Sequence, residues 1–193
     1  MQYFSICLVI LLWPLLFILS SLLAIRIVVL IKKLLIGRYK PTVKPLWSTF
    51  VWKSELVTAL YENVTVPYLL NLFLGTPFAR YILGWFGTKM GNRVFLDSTH
   101  ISEFDLVHVG DRVAINLNST LQTHLFEDRV MKMSNLIISD NCSIILYDTV
   151  MQPGASLGNL SLMMKGESLP ADTQWEGSPA QYRHVLKRQA IEG

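Results

Sequence analysis

The stretch VGDRVAINLNSTL, Val109–Leu121, places an aliphatic residue at every sixth position, with Ile115 midway between its ends. Such a hexad repeat predicts a triangular coil, in which each unit forms one short strand and one corner and three units close a turn. The first residue of each unit is expected to point inward, with a small residue such as Ser, Ala or Cys four positions later. Successive turns then bury together what one turn cannot bury alone.

The same spacing continues towards the C-terminus, where Ile138, Ile144 and Val150 form a second run. We expect the phase to slip by one residue near Pro153-Gly154. The inward positions then resume at Leu157, Met163, Leu169 and Trp175. Residues 91–180 leave room for about five coils of ~18 residues. We therefore predict an all-β, left-handed parallel β-helix here, an exception to the usual right-handed crossover. An antiparallel sandwich would instead alternate with a period of two.

The two halves of the chain differ in charge. Residues 1–90 contain nine Lys/Arg and two Asp/Glu, whereas residues 91–193 contain eight and twelve. A basic, apolar segment followed by an acidic, polar one is typical of a membrane-proximal region joined to a soluble domain. The acidic second half argues against nucleic-acid binding. The two cysteines, Cys7 and Cys142, predict neither a disulfide framework nor a zinc site.

An uncharged run from Tyr3 to Ile25 is long enough to cross about 30 Å of hydrocarbon as a helix. A cleaved signal peptide is the alternative, but the charged leader is missing and the run is too long. Basic residues follow the run, and they are Arg26, Lys32, Lys33, Arg38, Lys40 and Lys44. They predict a single-pass anchor in the cell inner membrane with the C-terminal domain in the cytoplasm. The same charges either set topology alone or also favour anionic lipid.

Residues 41–90 are rich in Trp, Tyr, Phe and Leu, which predicts two or three short interfacial helices. Ser48 is a candidate helix cap, whereas Pro67 and the Gly-Thr-Pro at 75–77 are expected to break the helical pattern. A second membrane span within 56–88 stays open. The predicted boundaries are 1–40 for the anchor, 41–90 for the interfacial helices, 91–180 for the β-helix and 181–193 for a tail.

Four stretches of the sequence resemble one family of enzymes. They are LIGRYKPTVKPLWS (35–48), FGTKMGNRVFLDSTHISEFDLVHVGDRVAINLNSTLQTHLFEDRVMKM (86–133), LYDTVMQPGASLGNLSLMMKGESLP (146–170) and W-x-GSPA (175–180). From about residue 10 to 182 the chain is similar to the C-terminal region of Pls-type nonribosomal peptide synthetases, membrane enzymes of the ε-poly-L-lysine synthetase type. The hexad region also resembles the wider hexapeptide-repeat acyltransferases.

The resemblance implies a larger enzyme, in which an adenylation domain and a carrier domain precede three tandem units. Each unit has transmembrane helices and a β-helix, and these units are associated with amide-bond formation. This chain carries neither the adenylation motif nor the carrier serine motif, so it looks like the last such unit. The distance between DNCS (140–143) and LYDT (146–149) looks about one hexad short, which would misplace the later coils.

His124 is the best candidate for a catalytic base, because it lies where the hexad count breaks between Leu121 and Leu136. Acyl transfer from a thioester to an amine needs a base for the amine proton, and an imidazole with a pKa near ~6.5 suits that role. Glu127 or Asp128 is expected to orient the ring and stabilise the imidazolium. A solvated loop without function is the alternative.

Other residues could belong to the same site. His100 precedes His124 by 24 residues, a multiple of six, so both could project from equivalent positions on neighbouring coils; a hydrogen-bonded turn histidine is the alternative. Only these two histidines are usable for zinc, so no metal is expected. Arg129 could pair with a carboxylate or a phosphate. The resemblance implies that Lys165, beside Gly166, could hold a phosphopantetheine or coenzyme A arm, and an ordinary coil corner is the alternative.

The sequence thus predicts a membrane-anchored acyltransferase-like unit that moves an acyl or aminoacyl group from a phosphopantetheine-linked or coenzyme A thioester to an amine. Its expected partners are membrane lipid, a carrier protein domain and sister β-helix domains in a trimer or pseudo-trimer. The alternatives are a catalytically silent structural unit or truncated remnant of a synthetase, and a free-standing coenzyme A-dependent acetyltransferase.

Overall fold

The computed structural model describes residues 2–117, 119–138, 149–158, 161–164 and 166–185. The helical elements are α1 (Gln2–Leu35), α2 (Thr49–Leu60), a π-helical segment (Tyr61–Leu70), α3 (Asn71–Phe73), α4 (Ala79–Phe86) and a 3₁₀ turn (Phe104–Leu106). The strands are β1 (Thr42–Pro45), β2 (Lys89–Met90), β3 (Phe95–Leu96), β4 (Val107–Val109), β5 (Ala114–Ile115), β6 (His124–Glu127), β7 (Val130–Met133), β8 (Leu136–Ile138), β9 (Val150–Met151), β10 (Ser156–Leu157), β11 (Ser168–Leu169), β12 (Thr173–Glu176) and β13 (Gln181–Val185).

Helix α1 is long and apolar enough over Leu12–Leu35 to cross a membrane, by length and composition alone. In the described part of the chain no other helix meets that criterion. Its earlier turns expose large apolar side chains, for example Trp13, whereas Ile25 and Val28 near its C-terminal end are buried against the rest of the protein. The helix therefore has an exposed apolar part and an end that is packed into the domain.

The second helical segment begins where the sequence predicts it, with the Ser48 hydroxyl accepting a hydrogen bond from the Val51 amide at the helix N-terminus. The prediction that Pro67 breaks the helix is wrong, since helical structure continues from Thr49 through Phe73. The wider π turns around Pro67 accommodate a residue that has no amide hydrogen and would crowd an ordinary α turn.

The C-terminal half is a coil of short parallel strands. One face is a five-stranded parallel sheet in the order β11-β9-β8-β4-β2. A second face pairs β3 with β5, and a parallel bridge joins Ile101 to Leu121, five residues after Leu96 and six residues after Ile115. The later coils pair β10 with β12. The predicted inward positions Val109, Ile115 and Leu121 are all buried.

One predicted inward position is wrong. Val150 is exposed and its neighbour Met151 is fully buried, so the phase slips before Met151 rather than near Pro153-Gly154. Ile138 pairs with Met151 across the parallel sheet, thirteen residues further on. That separation is two hexads plus one residue, which matches the predicted shortage of about one hexad. Ile144 lies outside the described residues.

The hexad count breaks at a β-hairpin that leaves the coil. Strands β6 and β7 pair antiparallel, and the two residues between them, Asp128 and Arg129, both have positive φ (53° and 59°). This backbone is typical of the tight turns that match the twist of a hairpin. Strand β1, from the linker after α1, adds to the outer side of β7. The hairpin is thereby fixed between the linker and the coil.

The helices and the coil share one core. Tyr61, Phe86 and Phe104 form an aromatic cluster with ring centroids 4.7–5.5 Å apart, and all three side chains are buried. The Tyr61 hydroxyl donates a hydrogen bond to the Thr99 carbonyl at 3.0 Å. Because Phe104 belongs to the coil and the other two rings to helices, this cluster sets the position of the helices relative to the 3₁₀ turn.

Candidate functional site

A buried carboxylate precedes the 3₁₀ turn. Glu103 adopts a left-handed backbone conformation (φ 40°), which is uncommon for a residue with a side chain, and its side chain is only 1% exposed. A buried carboxylate needs hydrogen-bond donors to offset its loss of hydration. Thr123 provides one, with its hydroxyl oxygen 2.6 Å from Glu103 Oε2.

The second donor is His124. Its Nδ1 lies 2.8 Å from Glu103 Oε2, and 17% of its side chain is exposed. His124 is the first residue of β6, at the base of the hairpin, where the Ser134 amide donates to the Thr123 carbonyl. The hairpin therefore carries the histidine onto a carboxylate supplied by the preceding coil.

This geometry fixes the tautomer of the neutral ring. When Nδ1–H donates to Glu103, the proton-free nitrogen is Nε2, and the carboxylate can stabilise the imidazolium that forms when Nε2 takes a proton. The Ser102 hydroxyl is 3.4 Å from the same Nδ1, a longer contact than that of Glu103. The arrangement is that of a general base held by an orienting carboxylate.

Electrostatics raises the basicity of the ring. Burial by itself lowers the pKa of His124, but the hydrogen bond and negative charge of Glu103, with a smaller contribution from Glu55, outweigh burial and raise that pKa above its ordinary value. Glu55 lies on an exposed position of α2. The site thus combines a partly exposed imidazole with negative charge from two elements.

The hairpin acids lie elsewhere. Glu127 and Asp128, which the sequence predicts as partners of the ring, place their carboxylates 2.8 Å and 3.4 Å from Lys132 Nζ. The alternation of the strand explains the difference for Glu127, because it is three residues from His124 and its side chain leaves on the opposite face. Arg129 is an exposed turn residue whose carbonyl accepts from the Leu46 amide. The orienting position belongs to Glu103 instead.

His100 does not occupy a position equivalent to His124. The bridge between Ile101 and Leu121 shows that neighbouring coils are offset by twenty residues here, not twenty-four. The His100 side chain is exposed, and its carbonyl accepts from the Leu121 amide. Lys165 lies outside the described residues, and Gly166 is an exposed corner residue with φ 76°.

Sequence reasoning missed Glu103, although a signal for it exists. Glu103 precedes His124 by twenty-one residues, which is close to one turn of the coil at this point. One turn of the coil spans twenty residues at this point, whereas three regular hexads would span eighteen. The hexad pattern does not show this difference. Only the pairing of Ile101 with Leu121 identifies Glu103 as the residue beside the hairpin base.

Comparison with known proteins shows which enzymes the sequence is similar to. No family model matches the chain. A Delta-poly-L-ornithine synthetase of Acinetobacter baumannii (strain AB307-0294) is 47% identical over 159 residues, which are 80% of this chain and 12% of that enzyme. The predicted resemblance to Pls-type synthetases is thereby confirmed. The chain spans only about an eighth of the length of the curated relative that it matches.

Comparison with solved structures shows which known folds resemble the fold of this chain. A maltose O-acetyltransferase from Clostridium difficile 630 has a TM-score of 0.50 at 13% identity, and the match covers 77% of this chain and 94% of that one. A hexapeptide-repeat acetyltransferase from Vibrio cholerae O1 biovar eltor, solved with acetyl coenzyme A, has a TM-score of 0.41 at 13% identity, over 70% and 91% of the two chains. The first likeness shows that the chain shares the fold of that maltose O-acetyltransferase.

Proposed function

We propose that this chain transfers an acyl or aminoacyl group from a thioester to an amine, with His124 as the general base and Glu103 as its orienting residue. The observation that carries the proposal is the 2.8 Å contact between His124 Nδ1 and the buried Glu103 carboxylate. The coil is proposed to be left-handed, and α1 to anchor it in the inner membrane with the coil on the cytoplasmic side.

The chemistry needs one proton to move twice. Nε2 of His124 takes a proton from the amine as its nitrogen attacks the thioester carbonyl. The tetrahedral intermediate then expels the thiolate, the carbon–sulfur bond breaks and the imidazolium returns the proton to sulfur. The products are an amide and a free thiol, and no other reactant is required. Glu103 stabilises the imidazolium between the two transfers.

The donor is proposed to be a phosphopantetheine-linked carrier or coenzyme A thioester, and the acceptor a molecule that carries a cationic group besides the neutral amine that attacks. The curated relative is named for making poly-L-ornithine, a polymer of an amino acid with a basic side chain. The negative charge of Glu55 acts on His124 and would also favour a positively charged acceptor at this edge. A neutral acceptor would gain nothing from that charge.

The test is a transfer assay with the full chain in detergent or nanodiscs. Carrier- or coenzyme A-bound ornithine serves as the donor, ornithine is the acceptor, and both released thiol and amide product are measured. We expect product with the native chain, none above background with His124→Ala, and native rates with His184→Gln, an exposed histidine of β13. Full activity of His124→Ala would contradict the assignment.

A second function is favoured by the short coil. The thirteen-residue separation of Ile138 and Met151 leaves out about one of the three hexads that close a turn. A catalytically silent unit that completes a trimer or pseudo-trimer with sister β-helices would tolerate such a loss. Mass measurement in detergent, with and without sister units, distinguishes the two: an active monomer excludes the silent scaffold.

A further inference from the structure

A second polar feature lies away from the histidine, at the end of helix α1. An open pocket of about 780 Å³ is bounded by the last turn of α1, the loop that follows it and the end of α4. Gly37 has φ 73° and follows the last turn of the helix, where its amide donates to the Lys32 carbonyl. The loop that begins there lines the pocket opposite the end of α4.

The pocket is lined by positive charge. Lys33, Arg38 and Lys40 line it and are exposed, and no ion pair between any of them and a carboxylate is found among the described residues. Lys32 also lines the pocket, but it is 2% exposed and its amine is paired with the Asp105 carboxylate. Within the part of the chain that the structure describes, three cations of one concave surface thus have no carboxylate paired with them.

This accumulation of charge has an electrostatic cost in the protein alone. The three cations lie around the C-terminal end of a helix, whose own dipole attracts positive charge, but like charges within one pocket still repel one another. The buried pair of Lys32 and Asp105 contributes no net charge. An anion seated between the cations removes this repulsion, and a phosphate group suits the planar donors of Arg38 and the point charges of the lysines.

The position of the pocket indicates where such a phosphate comes from. The pocket lies at the C-terminal end of the stretch Leu12–Leu35, the helix that is long and apolar enough to cross a membrane. Trp85 lines the same pocket, and the Arg26 guanidinium lies 3.8 Å from the centre of its ring. Tryptophan and basic residues at the end of an apolar span are typical of the headgroup layer.

We propose that this pocket binds the phosphate of an anionic phospholipid headgroup through Lys33, Arg38 and Lys40. The bound lipid would join the anchor helix to the linker that follows it, because its ligands come from α1 and from the loop that leads to β1. This proposal does not depend on the identity of the acyl donor or on His124.

The experiment counts lipids on the full chain in detergent by native mass spectrometry, with phosphatidylglycerol or phosphatidylcholine added. The pocket variant carries Lys33→Gln, Arg38→Gln and Lys40→Gln. The matched control carries Lys44→Gln, Lys53→Gln and Lys89→Gln, which removes the same charge from the same half of the chain but outside the pocket. Five of the six affected side chains are exposed and Lys44 is half-buried, and equal melting temperatures of the two variants confirm that both fold.

We expect native and control proteins to retain one phosphatidylglycerol in preference to phosphatidylcholine, and the pocket variant to bind it at least about tenfold more weakly. Equal loss in both variants would overturn the site in favour of diffuse charge attraction. Inorganic phosphate is the second probe. If it raises the melting temperature of the native chain while phosphatidylglycerol is not preferred, the pocket is a soluble-phosphate site and the lipid assignment is wrong.

Discussion

The early and late coils are built from the same six-residue unit but depart from it to different degrees. In the late coils Ser156 pairs with Gln174, eighteen residues on, which is three regular hexads. In the early coils Val107 pairs with Leu136, twenty-nine residues on, because the hairpin is inserted between them. The chain keeps the parallel sheet continuous across both regions.

The difference between the two regions indicates where a functional site can form in a repeat structure. Each regular hexad repeats the same inward aliphatic and outward corner, so it offers packing and little else. The inserted hairpin brings His124 to a carboxylate that the preceding coil already holds buried. An insertion into a solenoid changes one site without disturbing the strands on either side.

The largest effect is expected from removing the base. His124→Ala should lower the transfer rate by about 10²–10⁴-fold, the usual contribution of a general base. His184→Gln in the late region should leave the rate within about twofold, since that side chain is exposed on β13. Steady-state rates of thiol release measure both. Equal losses of rate in the two variants would mean that His124 in the hairpin matters no more for transfer than His184 in the late coils.

The next largest effect is expected on stability, from the aromatic cluster that packs the helices against the coil. Phe104→Ala removes a fully buried ring from the aromatic cluster and should destabilise the fold by about 3–5 kcal/mol. Leu169→Ala in a late coil should cost about 2–5 kcal/mol by the same mechanism. Denaturant unfolding in detergent compares them. A loss of less than about 1 kcal/mol in the free energy of unfolding for Phe104→Ala would mean that the aromatic cluster is not packed as described.

A smaller effect on rate is expected from the orienting residue. Glu103→Gln should lower activity by about tenfold, less than the loss of the base itself. It should also move the rise of activity with pH to lower pH, because the carboxylate that raises the pKa of His124 is gone. Rate measured against pH reports both changes.

Glu127→Gln is the matched control for this variant, since it makes the same chemical change on the hairpin. Its carboxylate contacts Lys132 in solvent, so rate and pH profile should stay native. If Glu127→Gln shifted the profile and Glu103→Gln did not, the assignment from the sequence would be correct and the one from the geometry wrong.

Much of the fold follows from the hexad spacing, and the exceptions have local causes. The inward positions from Val109 to Leu121 are predicted correctly because each is separated from the next by one regular unit. Val150 is predicted incorrectly because Ile138 pairs with Met151, thirteen residues on rather than a multiple of six, a register that spacing alone cannot locate. Pro67 fails as a helix breaker because a π turn absorbs it.

The site was half predictable for a similar reason. A break in a repeat can be seen in the sequence, so His124 stands out as a candidate. Its partner cannot be seen, because Glu103 lies in the previous coil and its proximity depends on a turn length of twenty residues between Ile101 and Leu121. Nearby acids in the sequence, such as Glu127, are misleading when strand alternation directs them away.

The smallest effect is on stability. The pKa of folded His124 is raised above its unfolded value near ~6.5, so protonation favours the folded state. This contribution is fully present below pH ~6.5 and is lost as pH rises through the folded pKa. The melting temperature of the native chain relative to His124→Gln should therefore fall between pH 6 and pH 9, by no more than about 2–4 °C.

The pairing of His124 with Glu103 is tested most directly by titrating the histidines of the full chain by nuclear magnetic resonance, which requires no knowledge of the substrate. We predict that the pKa of His124 lies above its ordinary value, with the neutral form protonated at Nδ1, and that Glu103→Gln lowers this pKa while Glu127→Gln does not. A His124 pKa at or below the ordinary value, unchanged in Glu103→Gln, would contradict the account.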